Sequence, residues 1–158
     1  MDLPTLILKN LISNEDYTRK VIPFIKKEYF EYPHTEVFNH VVKFVSKYNK
    51  LPNLSALTIE MGDSASEESI SLMDMMMNQD TDSSGTDQDW LINSTEKWCQ
   101  DRAIYLAIME SINIIDGKHE KLTKNALPEL LSDALAVSFD TNIGHDKSSG
   151  RAFLVSFS

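Results

Sequence analysis

The sequence predicts an all-α chain: a compact helical bundle followed by a protruding antiparallel helical hairpin. Three observations predict it. Apolar residues recur three or four positions apart through most of the chain, the spacing of the buried stripe of a helix. Capping residues stand at the starts of those stretches. A composition of 42% hydrophobic and 25% charged residues over 158 positions lets the chain bury a core, which excludes wholesale disorder.

The elements follow in order. Leu3 to about Leu11 is a short apolar segment, and Ser13-Asn14-Glu15-Asp16 reads as the cap and first turn of a helix that runs toward Val21 and stops near Pro23. Pro33 sits where a first helical turn tolerates it, and Val37, Val41, Phe44 or Val45, and Tyr48 form the stripe of the next helix, ended by Leu51-Pro52. A brief helix from Leu54 to Met61 is terminated by Gly62, and another runs from about Ser66 to Met77 with Ile70, Met73 and Met77 on one face. Gln79 to Gly85 offers no apolar side chain to bury and reads as a loop. Thr86 with Asp89 resembles a capping box, and from there to about Asp116 the helical pattern is uninterrupted. After Gly117 and a basic turn, a second helix starts near Pro128 and should return antiparallel to the first. The expected organisation is therefore residues 1–78 as bundle, 79–86 as polar loop, 87–139 as hairpin, and 140–158 as a linker stub with an atypical tail.

Charge is unevenly placed. The net charge is −9, yet no Lys or Arg occurs between Lys50 and Lys97, a stretch that carries ten acids and leaves the rest of the chain close to neutral. Such a block repels phosphate, so nucleic acid is not an expected partner; a basic protein is. Glu67, Glu68 and Asp74 are the candidate docking residues. Apolar runs are short, the start Met-Asp-Leu-Pro lacks the basic region of a secretory signal, and the single cysteine, Cys99, closes no disulfide within the chain. The expectation is a cytoplasmic protein without a membrane partner.

Catalytic chemistry finds little support. His34, His40, His119 and His145 lack close metal-ligand spacing, and Cys99 lies mid-helix beside Trp98 with no nearby His or glycine-rich elbow, so it reads as a core residue. His145-Asp146 is similar to the adjacent ligand pair of the HD phosphohydrolases, but that site needs a later Asp, and no acid follows Asp146. No Gly-x-x-x-x-Gly-Lys-Ser/Thr loop is present. No catalytic residue, metal or cofactor is expected. The long helix instead carries two offset apolar stripes: Trp98, Tyr105, Met109 and Ile112, and Ile104, Ile108 and Ile115. One partner helix cannot cover both, so either the bundle folds against the second or another copy of the hairpin does. The expected self-association residues are Trp98, Tyr105, Ile108, Met109, Ile112, Leu130, Leu131, Ala134 and Leu135.

Four stretches carry a resemblance: Asp16-Tyr17 through Val21 and Pro23 to Glu28-Tyr29-Phe30; Leu51-Pro52 to Ala56-Leu57; Glu96-Lys97-Trp98 with Gln100, Arg102 and Ala103; and Val137-Ser138-Phe139-Asp140 followed by Gly144-His145-Asp146. In order and spacing the chain resembles the N-terminal domain of the replicative DNA helicases of T-even-like phages, within the DnaB-type hexameric helicases. The resemblance implies a helical bundle and hairpin that associate into a collar on the hexamer and communicate with primase and a helicase loader. It also implies a linker, here Phe139, Gly144, His145 and Asp146, leading to an ATP-hydrolysing motor. Lys147 to Ser158 does not resemble the family's continuation into that motor, so without the motor the chain is expected to bind partners but to do no work on DNA. Two other classes compete: an unrelated acidic helical adaptor or phage inhibitor, and a small hydrolase using His145 and Asp146.

Overall fold

The computed structural model describes residues 1–78 and 87–139, and among them every element is helical. Among the described residues the α-helices are seven: α1 (Leu3–Ser13), α2 (Glu15–Val21), α3 (His34–Tyr48), α4 (Leu54–Met61), α5 (Glu67–Asn78), α6 (Gln88–Ile115) and α7 (Leu127–Leu135). The all-α expectation holds.

Local chemistry sets the helix ends. Asp2 caps α1 by accepting from the Thr5 N–H at 3.1 Å. Asn14 serves two helices: its own N–H donates to the Asn10 carbonyl as α1 ends, and its side-chain oxygen accepts from Tyr17 N–H as α2 begins. Asn53 caps α4 through the Ala56 N–H at 2.7 Å. Gly117 follows α6 at φ +73°, the left-handed conformation that favours glycine, and two bonds close the helix there: Gly117 N–H to Ile114 O and Lys118 N–H to Asn113 O. This is a Schellman ending. α6 itself starts at Gln88 with Asp87 as the cap, its carboxylate accepting from Asp89 N–H. Asp87 therefore takes the capping place expected of Thr86, which lies outside the described residues.

Packing is organised around two helices. α3 takes α1, α4, α5 and the turn at Lys27–Tyr29 against it, while α6 takes α2, the same turn and α7. The buried stripe of α3 is Val37, Val41 and Val45 with Phe38 beside it; Phe44 and Tyr48 instead lie tilted against each other at 4.6 Å on the outer side. α7 returns along α6. Gln100 Nε2 donates to Val137 O at 3.0 Å and Phe139 N–H donates to Glu96 Oε2 at 2.6 Å, so later residues meet earlier ones, as antiparallel packing requires.

Two expectations about buried faces are corrected. In α5 the core side is Ser69, Leu72, Met73 and Met76, whereas Ile70 and Met77 are exposed. The cause lies at the start of the helix. Glu36 of α3 accepts from Ser66 Oγ at 2.7 Å and Ser69 Oγ at 2.5 Å, which turns Ser69 inward and fixes the rotation of α5. In α6 the buried line is Leu91, Thr95, Cys99, Ala103, Ala107, Ser111 and Ile114, neither of the two bulky stripes. Small side chains let helix backbones approach closely, and Ala134 is the buried position of α7.

Candidate interaction surfaces

The bundle covers only the lower part of α6. Trp98 is half-buried, with Tyr29 edge-on at 6.1 Å and Phe30 tilted against it at 4.8 Å. One turn further, Arg102 donates from Nε to the Tyr29 carbonyl at 2.6 Å, lies 3.8 Å from Glu31, and sits 4.8 Å above the Tyr105 ring. Beyond Arg102 Ile114 is buried and Leu106 packs on the core, but most of the bulky side chains face outward. Tyr105, Ile108, Met109, Ile112 and Ile115 are all exposed, Ile108 by 48%. At 100° per residue Tyr105, Ile108, Met109 and Ile112 fall within about 100° of arc, so they make one continuous face. Leu131 and Leu135 of α7 are exposed as well, Leu135 by 71%.

The nine residues expected to mediate self-association therefore divide. Tyr105, Ile108, Met109, Ile112, Leu131 and Leu135 are available at the surface. Trp98, Leu130 and Ala134 are taken up within the chain, Trp98 by the two aromatic rings and the other two by packing on the core. Ile115 joins the exposed face, as its place on the second stripe allowed.

A different surface lies on α5. Glu67, Ile70, Asp74 and Met77 share one outward line, since steps of three, four and three residues keep them within about 80° of each other. Ile70 is 43% exposed and Met77 49%. Glu68 sits at the flank, where Tyr32 Oη donates to its carboxylate at 3.0 Å. Among the described residues none of the α5 acids is paired with a base. Glu67 and Asp74 thus fall on one line and Glu68 beside it, while Ile70 and Met77 were missed as surface residues because each also fits the spacing of a buried stripe.

The linker residues are partly visible. Phe139 stacks on Phe24 at 4.6 Å, which ties the end of the described chain to the turn at Ile22–Phe24. Gly144, His145 and Asp146 lie outside the described residues.

Cys99 is fully buried, and burial pushes its thiol up to about 12, with the Glu96 charge adding to the rise, so it stays protonated near neutral pH. Among the described residues no three of His, Cys, Asp and Glu converge on a point. A shallow groove between the Ile22–Ile25 turn and α3 is lined by Ile22, Pro23, Ile25, Lys27, Phe38, Asn39 and Val42 and brings no pair of titratable side chains together. No helix among the described residues is long and apolar enough to cross a membrane.

Fold and surfaces define a class: an all-α chain with large apolar side chains exposed along α6 and along α5. Comparison of the sequence gives that class a relative. The chain is similar to the DnaB-like replicative helicase of Enterobacteria phage T4, with 32% identity over 151 residues that take in 89% of this chain and 32% of that protein. It is thus helicase-related, and it spans about a third of the length of the curated relative it matches. No family model matches the chain.

Proposed function

We propose that this chain serves as the non-catalytic N-terminal part of a phage replicative helicase, associating with further copies of itself into a hexamer collar and contacting primase or a helicase loader. The observation that carries the reading is the 32% identity running through 89% of the chain to a replicative helicase. The exposed apolar face of α6 supports the self-association. A row of four large apolar side chains on one side of a helix loses hydration favourably when a second copy covers it, and a twofold pair covers both rows at once. The phosphate-binding loop of an ATPase is absent from this sequence, so ATP hydrolysis is assigned to the part of the relative that the match leaves out.

Sedimentation of the purified chain tests this. The wild type should associate at high micromolar concentration, and Ile108→Glu should weaken that association by about tenfold or more, about 1.4 kcal/mol, because it places a charge in the middle of the row. In dilute solution, where the wild type is dissociated, its melting temperature should stay close to that of the wild type, since Ile108 is half-exposed. A wild type that stays monomeric, or a variant that associates equally well, overturns the reading.

A further inference from the structure

We propose that the outward line of α5, Glu67, Ile70, Asp74 and Met77, is a docking stripe for a basic amphipathic helix of a partner protein. Acid and apolar residues alternate here along three turns on one side of the helix, and both apolar ones are more than 40% exposed. The alternation selects the partner's chemistry. Apolar residues at helical spacing on the incoming segment would cover Ile70 and Met77, and Lys or Arg beside them would meet Glu67 and Asp74. The charge needed is missing from this side: no Lys or Arg occurs between Lys50 and Lys97, so no basic residue of this stretch competes for the carboxylates.

The stripe is also held still. Leu72, Met73 and Met76 root α5 in the core, and the Glu36 carboxylate ties down its first turn through Ser66 and Ser69. Those hydrogen bonds, from Ser69 and then Ser66, keep Glu36 below its ordinary pKa and therefore ionised at neutral pH. A helix fixed in rotation presents its outer line without a further ordering cost on binding. The inference rests on the reading above only in taking the chain to be a protein-binding module.

The test uses the whole chain and a labelled basic peptide of about four helical turns, with Leu at the a and d positions and Lys elsewhere, beside a twin carrying Glu in place of Lys. The basic peptide should bind, weaken as salt rises from about 0.1 M to about 0.5 M, and shift amide resonances of Glu67 to Asn78 rather than those of α6. Ile70→Ser with Met77→Ser should weaken it by tenfold or more, as should Glu67→Gln with Asp74→Asn. Glu60→Gln with Asp63→Asn, which removes the same charge from α4 and the turn after it, should have a markedly smaller effect.

Several outcomes overturn the stripe: no binding of the basic peptide, equal binding of the acidic twin, full affinity after loss of Ile70 and Met77, an off-stripe pair as damaging as the on-stripe pair, or resonance shifts confined to α6. Because self-association is read separately by sedimentation of the unliganded chain, either proposal can fail while the other stands.

Discussion

Thr95 joins the early helices to the long one with a single hydroxyl. Its hydrogen goes to the Leu91 carbonyl at 2.7 Å, which leaves its oxygen to accept from Tyr17 Oη at 2.6 Å, and both side chains are fully buried. Burial is the main force raising the Tyr17 phenol far above its ordinary range, so it remains a donor well above neutral pH. His34 does comparable work at the surface end of α3, where its Nε2 lies 2.8 Å from Thr5 Oγ1 and ties α3 to α1. Burial holds His34 below its ordinary pKa of 6.5, more strongly than the charges of Asp2 and Glu31 raise it. The folded chain then binds that proton more weakly than the unfolded chain does. Its contribution to stability is present above the unfolded value and is lost as pH falls below it. Melting temperature should drop between about pH 7.5 and pH 5.5, and His34→Gln, which still offers Thr5 a hydrogen-bond partner, should flatten that drop. An equal drop in both proteins would show that protonation of His34 plays no part.

The two faces of α6 make opposite demands on neighbouring residues. Ala107 lies in the buried line and Ile108 in the exposed one. Ala107→Leu should force the packed helices apart and cost about 1–3 kcal/mol, while Ile108→Ser, measured in dilute solution, should stay within about 0.5 kcal/mol of wild type. Denaturant midpoints of the two variants check this, and equal losses would mean that the buried line has been assigned to the wrong side. The same helix shows where the sequence is opaque. Helix ends were legible because a cap is a local event: Asn14, Gly62 and Pro128 each stand within two residues of an observed boundary. Buried faces were less so. Hydrophobic periodicity weighs bulk, and Cys99, Ala103, Ala107 and Ser111 have little of it, so the seam of α6 passes unnoticed beneath two louder stripes. In α5 apolar residues lie on both sides, and only the long-range contact from Glu36 to Ser66 and Ser69 decides between them. The exposed bulky side of α6 was legible for the converse reason, since large apolar residues beyond the reach of one partner helix must either meet another surface or stay wet.

At the scale of the whole molecule, charge decides which partners are admissible. Single-stranded DNA needs Lys and Arg arranged along a groove, because each phosphate contact releases counterions and supplies the affinity. Here the basic residues are dispersed and several are already engaged: Arg19 with Glu15, Lys20 with Asp16, and Arg102 with the Tyr29 carbonyl and Glu31. Between Lys50 and Lys97 there is none, and the ten acids of that stretch include the α5 stripe. A strand approaching from that side meets only repulsion, whereas a basic protein segment is drawn toward it at long range. Fluorescence polarisation with a labelled oligothymidine should therefore detect no binding at about 1 μM protein and about 0.1 M salt, and lowering the salt should not bring the chain into the affinity range of ordinary non-specific binders. The basic peptide, measured in the same buffer, should bind more tightly as salt is lowered. If the oligonucleotide bound with a comparable salt dependence, the dispersed bases would have to act together as a phosphate surface, and the division of labour argued from the charge distribution would be wrong.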